Sequence, residues 1–244
     1  MATLLLIPAV NAQLNKVLKS FSTDSSVNKV IDGFSQGNGS LSTDEVVAGL
    51  KQALVKGTET STRQLSAADG FLQNAAIKIL LPPEAQKAEK MLRSAGLGKL
   101  ADDAITSLNH AAEDASKQAA PIFVNAIKQM SIQDAWGILK GGDTSATHYL
   151  KTKTTSPLTS AFKPSIDQSL QKVNATKYWG DFANAYNKLN FLGGEKLNTD
   201  LSAYVTDKAL DGIFYEIGQQ EKQIRKDPAA RTTELLKKVF AQAQ

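Results

Sequence analysis

Apolar residues recur every three or four positions along most of the chain, which is the spacing of one face of an α-helix. After Ser42, for example, apolar side chains follow at Val46, Leu50 and Leu54. No segment shows the strict alternation that is typical of a half-buried strand. The pattern therefore predicts an all-α protein, a compact multi-helix bundle of about nine or ten helices with short connections.

Two pairs of polar residues predict where helices begin. Ser42 with Glu45 is a capping box, in which a hydroxyl and a carboxylate bind N–H groups that the first turn leaves free. Ser131 with Asp134 has the same spacing and predicts a short helix that ends at Gly141-Gly142.

Further signals predict a turn, an extended segment and two more helix starts. Asp69-Gly70 is a turn dipeptide, and residues 77–83 are expected to be extended because residues before proline avoid the helical region. Asp143 or Thr144 is expected to cap the next helix. Ser156-Pro157 is interpreted as an N-cap followed by a first helical residue.

The first residues predict export. Residues 3–10, TLLLIPAV, form an apolar run, and Val10 and Ala12 are small residues at positions −3 and −1 of a cleavage site. The run is shorter than the about 20 residues of a transmembrane helix. We expect residues 1–12 to be a signal-peptide remnant that is cleaved after Ala12, and the protein to be periplasmic.

A Gly/Ser/Asn-rich loop at residues 32–42 divides the remaining chain. We expect residues 13–41 to form an N-terminal helical arm with this loop, and residues 42–244 to form a single all-α domain. Hydrophobic residues make up 42% of the chain and charged residues 21%, which is ordinary for a soluble globular protein. No other stretch is apolar enough to span a bilayer, so no transmembrane segment is expected.

The chain offers few residues for catalysis or metal binding. It has no cysteine and only two histidines, His110 and His148, which excludes disulfides, thiolate metal sites and a three-His centre. Each histidine is expected to be a surface or hydrogen-bonded residue rather than a base. No phosphate-binding, dinucleotide-binding or nucleophile-elbow motif occurs. The sequence therefore predicts no catalytic residue, no metal ligand and no cofactor.

Two further patterns are better explained without a bound metal. Residues 38–45 match the second half of a calcium-binding loop, but Phe34 and Gln36 stand where carboxylates are needed. Neighbouring carboxylates at 102–103 and 113–114 point about 100° apart on a helix, so neither pair converges on an ion. An aromatic stripe over residues 178–186 is expected to be core rather than a ligand site.

The net charge of +4 matches the local charge of residues 222–238. This segment carries six basic residues and two acidic ones, and one interpretation is that its cations stabilise helix C-termini. The other is an anion-binding surface for an envelope component or an acidic protein. A nucleic-acid partner is not expected, because such proteins are usually more basic. The candidate residues are Lys222, Arg225, Lys226, Arg231, Lys237 and Lys238.

Five blocks stand in one order along the chain: DGFLQNAAIKILLP (69–82), GLGKLADD (96–103), PIFVNAIKQMSIQDA (121–135), GGDTSATHYLK (141–151) and KALDGIFYEIGQQEKQIRKDPAARTTELLKKVF (208–240). The set resembles the bacterial family catalogued as domain of unknown function 4197, over roughly residues 42–241. The resemblance implies an exported, helical, single-domain protein of Gram-negative bacteria. It implies no reaction, ligand or partner, and it carries over no functional residue.

The predicted function is that of a non-enzymatic binding or interaction protein of the envelope. The alternatives are a hydrolase-like enzyme whose site is not visible in the sequence, and a carrier of an apolar ligand between helices. A deep apolar pocket would favour the carrier. A cleft that gathers a histidine, carboxylates and a serine would favour the enzyme, and a surface with one basic patch would favour the interaction protein.

Overall fold

The computed structural model of the chain describes residues 42–172, 174–189 and 201–226. These residues are 81% helix and contain no strand, which confirms the all-α prediction. They form eight helices rather than nine or ten, and the predicted helical stretches near residues 13–31 and 235–240 lie outside the described residues. The helices are α1 (Thr43–Leu65), α2 (Gln86–Ser94), α3 (Gly98–Ser116), α4 (Ala119–Lys128), α5 (Ile132–Lys140), α6 (Ser145–Lys172), α7 (Ala175–Leu189) and α8 (Ser202–Lys226), with a short 3-10 helix at Pro83–Ala85.

Helices α3, α6 and α8 form the centre of the bundle. Helix α8 packs along α6, α3 contacts both α6 and α7, and α1 lies against α4, α5 and α8. A large core joins these central helices, and a smaller apolar cluster lies between α1, α5 and the start of α6. The predicted aromatic stripe belongs to the large core, because Trp179, Phe182 and Tyr186 are all buried.

Both predicted capping boxes are confirmed. The Ser42 N–H donates to Glu45 Oε2 at 2.7 Å, and the Glu45 N–H donates to Ser42 Oγ at 3.3 Å. At the start of α5, the Ser131 N–H donates to Asp134 Oδ2 at 3.0 Å, and the Asp134 N–H donates to Ser131 Oγ at 3.1 Å. Capping therefore accounts for the Ser42 and Glu45 side chains, while residues 38–41 of the calcium-like pattern lie outside the described residues.

The predicted turn is present, whereas the segment predicted to be extended over residues 77–83 is non-helical only over residues 78–82, because Ile77 lies in a turn and Pro83 begins the 3-10 helix. Asp69 has a left-handed backbone with φ of 61°, and a Cβ on Gly70 would overlap the carbonyl oxygens of Gln64 and Leu65. Residues 78–82 have no regular structure. Asn109 of α3 binds the backbone of Ile79 there, accepting from its N–H and donating to its carbonyl, both at 2.8 Å. The Asn109 side chain thus fixes this segment against α3 by binding both backbone polar groups of Ile79.

The predicted helix start at Ser156-Pro157 is wrong. Helix α6 runs without interruption from Ser145 to Lys172 and contains both Pro157 and Pro164. A proline inside a helix costs about 3 kcal/mol because it removes a hydrogen bond and clashes with the preceding turn. Burial of a large apolar side chain contributes about 1.5–3 kcal/mol, so one fully buried stripe offsets both prolines. That stripe consists of Leu150, Leu158, Phe162 and Ile166.

Candidate functional site

Helix α5 presents an outward stripe of mixed chemistry. Ile132, Trp136 and Lys140 follow at intervals of four residues, so they share one face of the helix. Ile132 is 50% exposed and Trp136 is half-buried. The Lys140 ammonium lies 5.5 Å from the centroid of the Trp136 ring. The opposite face, with Ala135, Ile138 and Leu139, is buried and fixes the stripe on the bundle.

An open groove of about 720 Å³ lies beside this stripe, between α5 and the first turns of α6. Hydrogen bonds with Ser131, together with the charge of Lys153, lower the pKa of Asp134 in the groove. The Lys153 ammonium lies 5.8 Å from the centroid of the Tyr149 ring, so this wall again combines a cation with an aromatic ring. The polar lining residues are Gln133, Asp134, Thr144, Ser145, His148, Tyr149, Thr152 and Lys153.

Glu221, which is distant in sequence, caps the N-terminus of α6, whose first turns form one wall of the groove. Glu221 of α8 accepts the N–H groups of Ala146 and Thr147 at 2.9 and 2.8 Å, and the Thr147 hydroxyl at 2.7 Å. The predicted caps, Asp143 and Thr144, do not bind these groups. A cap supplied from about 75 residues away leaves no local pattern, which is why the sequence did not show it.

The same glutamate accounts for one of the predicted anion-binding residues. Arg225 pairs with Glu221 at 2.8 Å, and the two side chains are only 11% and 7% exposed. Arg225 also donates to the carbonyl oxygen of Ile138 at 2.7 Å. The guanidinium thus lies inward and ties the C-terminal end of α8 to α5.

Two of the candidate lysines, Lys222 and Lys226, lie in the C-terminal part of α8. Lys226 is well exposed and pairs with Asp143, in the connection between α5 and α6, at 3.2 Å. Lys222 is half-buried and makes no ion pair among the described residues. Arg231, Lys237 and Lys238 lie outside the described residues. Anion binding by this set stays a prediction, but Arg225 contacts α5 and Lys226 contacts the connection that follows it.

The groove contains an aspartate, a serine and a histidine, but they are not hydrogen-bonded to one another as in a hydrolase. Asp134 Oδ2 accepts from the N–H and the hydroxyl of Ser131. The Ser145 hydroxyl donates to the carbonyl of Gly142 at 2.9 Å. Within the described ranges, no hydroxyl or carboxylate forms a hydrogen bond with the ring of His148. An activated nucleophile requires a base within hydrogen-bonding distance. The groove can therefore bind polar groups, and its geometry gives no support to acyl transfer.

A small apolar pocket among the described helices bears on the carrier alternative. It lies between α1, α5 and α8 and has a volume of about 30 Å³. That is on the order of one water molecule, whereas ligand pockets measure about 300–1,000 Å³. A bound apolar ligand does not fit there.

The second histidine lies in a different group, which the sequence did not reveal. His110 Nε2 is 3.3 Å from Asp69 Oδ1, and Glu113 lies next to both, so one ligand atom from each lies within 4.8 Å of the others. Asp69 is 41 residues from His110 in sequence, which hides the group. The one local signal is the three-residue spacing of His110 and Glu113 on a single helix face.

The neighbouring carboxylates of α3 behave as the helix geometry predicted. Asp102 pairs with Arg93 at 2.8 Å, whereas Asp103 pairs with Lys99 at 2.7 Å. Asp114 accepts from Lys117 and from the Ser169 hydroxyl, away from Glu113. Adjacent carboxylates therefore serve separate partners rather than one shared ion.

The fold and this surface define a class: an all-helical bundle with an open polar groove beside a stripe that carries an exposed isoleucine, a half-buried tryptophan and a lysine. The chain belongs to the family described as "Protein of unknown function (DUF4197)", whose model matches residues 40–241. This match confirms the resemblance seen in the five sequence blocks. No curated protein and no solved structure matches the chain. Among the helices that are described, none has the length and apolar character to cross a membrane.

Proposed function

We propose that this protein is exported to the bacterial envelope and acts there as a non-enzymatic interaction protein that binds anionic lipid surfaces. The contact surface is the α5 stripe with the adjoining groove. The observation that carries the proposal is the series of exposed Ile132, half-buried Trp136 and exposed Lys140, anchored by a buried opposite face. The proposal of export rests on the apolar run at residues 3–10 and on the cleavage pattern at Val10 and Ala12.

The chemistry of the stripe suits the boundary between water and lipid. An exposed aliphatic side chain gains free energy when acyl chains cover it, and tryptophan is enriched where one side is apolar and the other is wet. A lysine beside the ring places its charge at the level of the headgroups. Ile132, Trp136 and Lys140 supply these three elements in one row.

Charge around the groove gives the surface its preference for anions. Lys140, Lys153, Lys222 and Lys226 are placed on α5, the groove wall and the neighbouring end of α8. Asp134 and Asp143 offset two of these charges. A basic residue near an anionic bilayer contributes about 1 kcal/mol, so a net excess of two gives about 2 kcal/mol. That corresponds to a roughly thirtyfold preference for anionic over neutral lipid.

Sedimentation with vesicles tests the proposal on the full chain without an affinity tag. We expect binding to phosphatidylglycerol vesicles, little binding to phosphatidylcholine vesicles, and weaker binding at high salt. High salt should weaken the attraction between the lysines and the anionic headgroups, because the Debye length falls from about 10 Å at 0.1 M to about 3 Å at 1 M. Replacing both Lys140 and Lys153 with glutamate should lower binding to the anionic vesicles at least tenfold.

A matched control separates this surface from net charge. Lys87→Glu with Lys177→Glu makes the same change in charge at exposed positions on α2 and α7. We expect this control to bind almost as the wild type does. Equal binding to both kinds of vesicle, or equal loss in both double variants, would contradict the proposal. If Trp136→Ala retained full binding while the lysine reversals abolished it, the partner would be a polar anionic polymer instead of lipid.

A further inference from the structure

The geometry points to a second site, independent of the lipid surface: we propose that Asp69, His110 and Glu113 bind a divalent transition-metal cation. The three residues lie where the turn after α1 meets the middle of α3. Imidazole and carboxylate are ligand types that zinc accepts, and three protein ligands leave further positions for water.

The separation of the ligand atoms fits an ion of this size. Two ligands that each lie about 2.0 Å from a tetrahedral zinc are about 3.3 Å from one another. His110 Nε2 and Asp69 Oδ1 are 3.3 Å apart, and the Glu113 oxygen completes a set within 4.8 Å. Because Glu113 is buried and held by backbone hydrogen bonds, the partly exposed Asp69 and His110 side chains would make the shift that brings all three atoms to bonding distance.

Backbone hydrogen bonds hold Glu113 with one oxygen still able to bind an ion. Its Oε1 accepts the N–H groups of Phe71 and Leu72 at 3.1 and 3.2 Å, and its Oε2 accepts only the N–H of Asp69 at 3.2 Å. A carboxylate oxygen has two lone pairs, so Oε2 retains one. Hydrogen bonds of this kind orient the ligands in metal sites and raise their affinity.

Asp69 is arranged in the same way. Its Oδ2 accepts from the Gln73 amide at 2.8 Å, which leaves Oδ1 facing His110. The left-handed backbone of Asp69 and the tight approach of Gly70 to the end of α1 place this carboxylate over α3. Asp69 and His110 are 38% and 39% exposed, so an ion can reach them from solvent.

The negative charge of the Asp69 and Glu113 carboxylates also favours the binding of a cation. Glu113 is buried, yet neither it nor Asp69 forms an ion pair with a lysine or arginine in the part of the chain that the structure describes. A buried carboxylate without a counter-charge loses hydration that hydrogen bonds restore only in part. A divalent ion would balance the two carboxylates.

Zinc titration of the full, tag-free chain tests the site, because the chain has only two histidines and no cysteine. Calorimetry should show one saturable site, and NMR should show the imidazole signals of His110 shifting while those of His148 stay in place. Affinity should fall at least tenfold in Asp69→Asn and in His110→Ala, and remain unchanged in His148→Ala. Asparagine tolerates a left-handed backbone and can keep the bond from Gln73, so Asp69→Asn should fold.

Three results would overturn the proposal. They are no saturable binding up to about 1 mM zinc, perturbation of His148 alone, or unchanged affinity in Asp69→Asn. Circular dichroism of each variant separates loss of the site from loss of the fold. If His110→Ala did not fold, the wild-type NMR spectrum would still test the site, because the imidazole signals of His110 and His148 respond to zinc separately.

Discussion

Replacing Glu221 with alanine would remove the acceptor that joins α8 to the first turn of α6. The variant loses three hydrogen bonds with Ala146 and Thr147, at 2.7 to 2.9 Å, and the ion pair with Arg225. It also removes the carboxylate with which the largely buried guanidinium of Arg225 pairs. Because this contact positions the wall of the groove, its loss should disturb the candidate surface as well as the fold.

The expected loss of stability follows from the burial of the Glu221–Arg225 ion pair. Removing one partner of a buried ion pair costs about 3–5 kcal/mol, whereas an exposed pair contributes about 0–1 kcal/mol. For a domain of this size, 1 kcal/mol corresponds to about 2–4 °C, so Glu221→Ala should lower Tm by roughly 6–20 °C. Asp143→Ala, which breaks the exposed pair with Lys226, should lower it by less than about 4 °C.

Denaturant and thermal unfolding, followed by circular dichroism, measure both variants. Changing both partners, Glu221→Leu with Arg225→Met, should recover much of the loss, because the guanidinium is then removed together with its carboxylate. A cost below about 1 kcal/mol for Glu221→Ala, or one equal to that of Asp143→Ala, would refute the assignment of this pair as a buried anchor.

Two further substitutions test the packing, each by the same unfolding measurements. Glu59 is buried, its Oε1 has no hydrogen-bond partner among the described residues, and burial raises the pKa of its carboxyl. Glu59→Met should therefore stabilise the fold by about 1–3 kcal/mol at pH 7, whereas Gln52→Met, at an exposed position of α1, should change stability by less than about 0.5 kcal/mol. Because the raised pKa makes the folded wild type bind more protons than the unfolded chain, wild-type stability falls as pH rises above the carboxyl's ordinary pKa. The advantage of Glu59→Met should therefore shrink in acid, and an advantage that grew in acid would contradict this account. Gly70→Ala should destabilise by about 1–3 kcal/mol because its Cβ would overlap two carbonyl oxygens, whereas Gly180→Ala, with open space around it in α7, should stabilise slightly; the reverse order would contradict the turn geometry.

Local signals in the sequence predicted local structure well. The capping boxes at Ser42 and Ser131, the turn at Asp69 and the extended segment before Pro83 all depend on residues a few positions apart. The helix start predicted at Pro157 is wrong because the dipeptide Ser156-Pro157 lies inside a longer apolar periodicity. The apolar stripe through α6 continues across that proline, and its burial decides the outcome.

The candidate sites were harder to predict because they depend on contacts between distant segments. Ile132 and Trp136 are apolar side chains that no local pattern marks as accessible, and only the position of α5 on the bundle leaves Ile132 exposed and Trp136 half-buried. Buried residues are mostly apolar, but apolar residues are not always buried, because apolar atoms also make up much of a protein's surface. Glu221 and the group around His110 likewise bring together residues between about 40 and 75 positions apart.

Hydrogen–deuterium exchange with and without phosphatidylglycerol vesicles tests the proposed lipid surface most directly. We expect protection on binding to be concentrated in peptides from residues 132–153, which carry the α5 stripe and the groove wall. Peptides from α2 and α7, which lie away from this surface, should exchange as in the free protein. Protection of α2 and α7 in place of α5, or no protection anywhere at saturating lipid, would contradict the account.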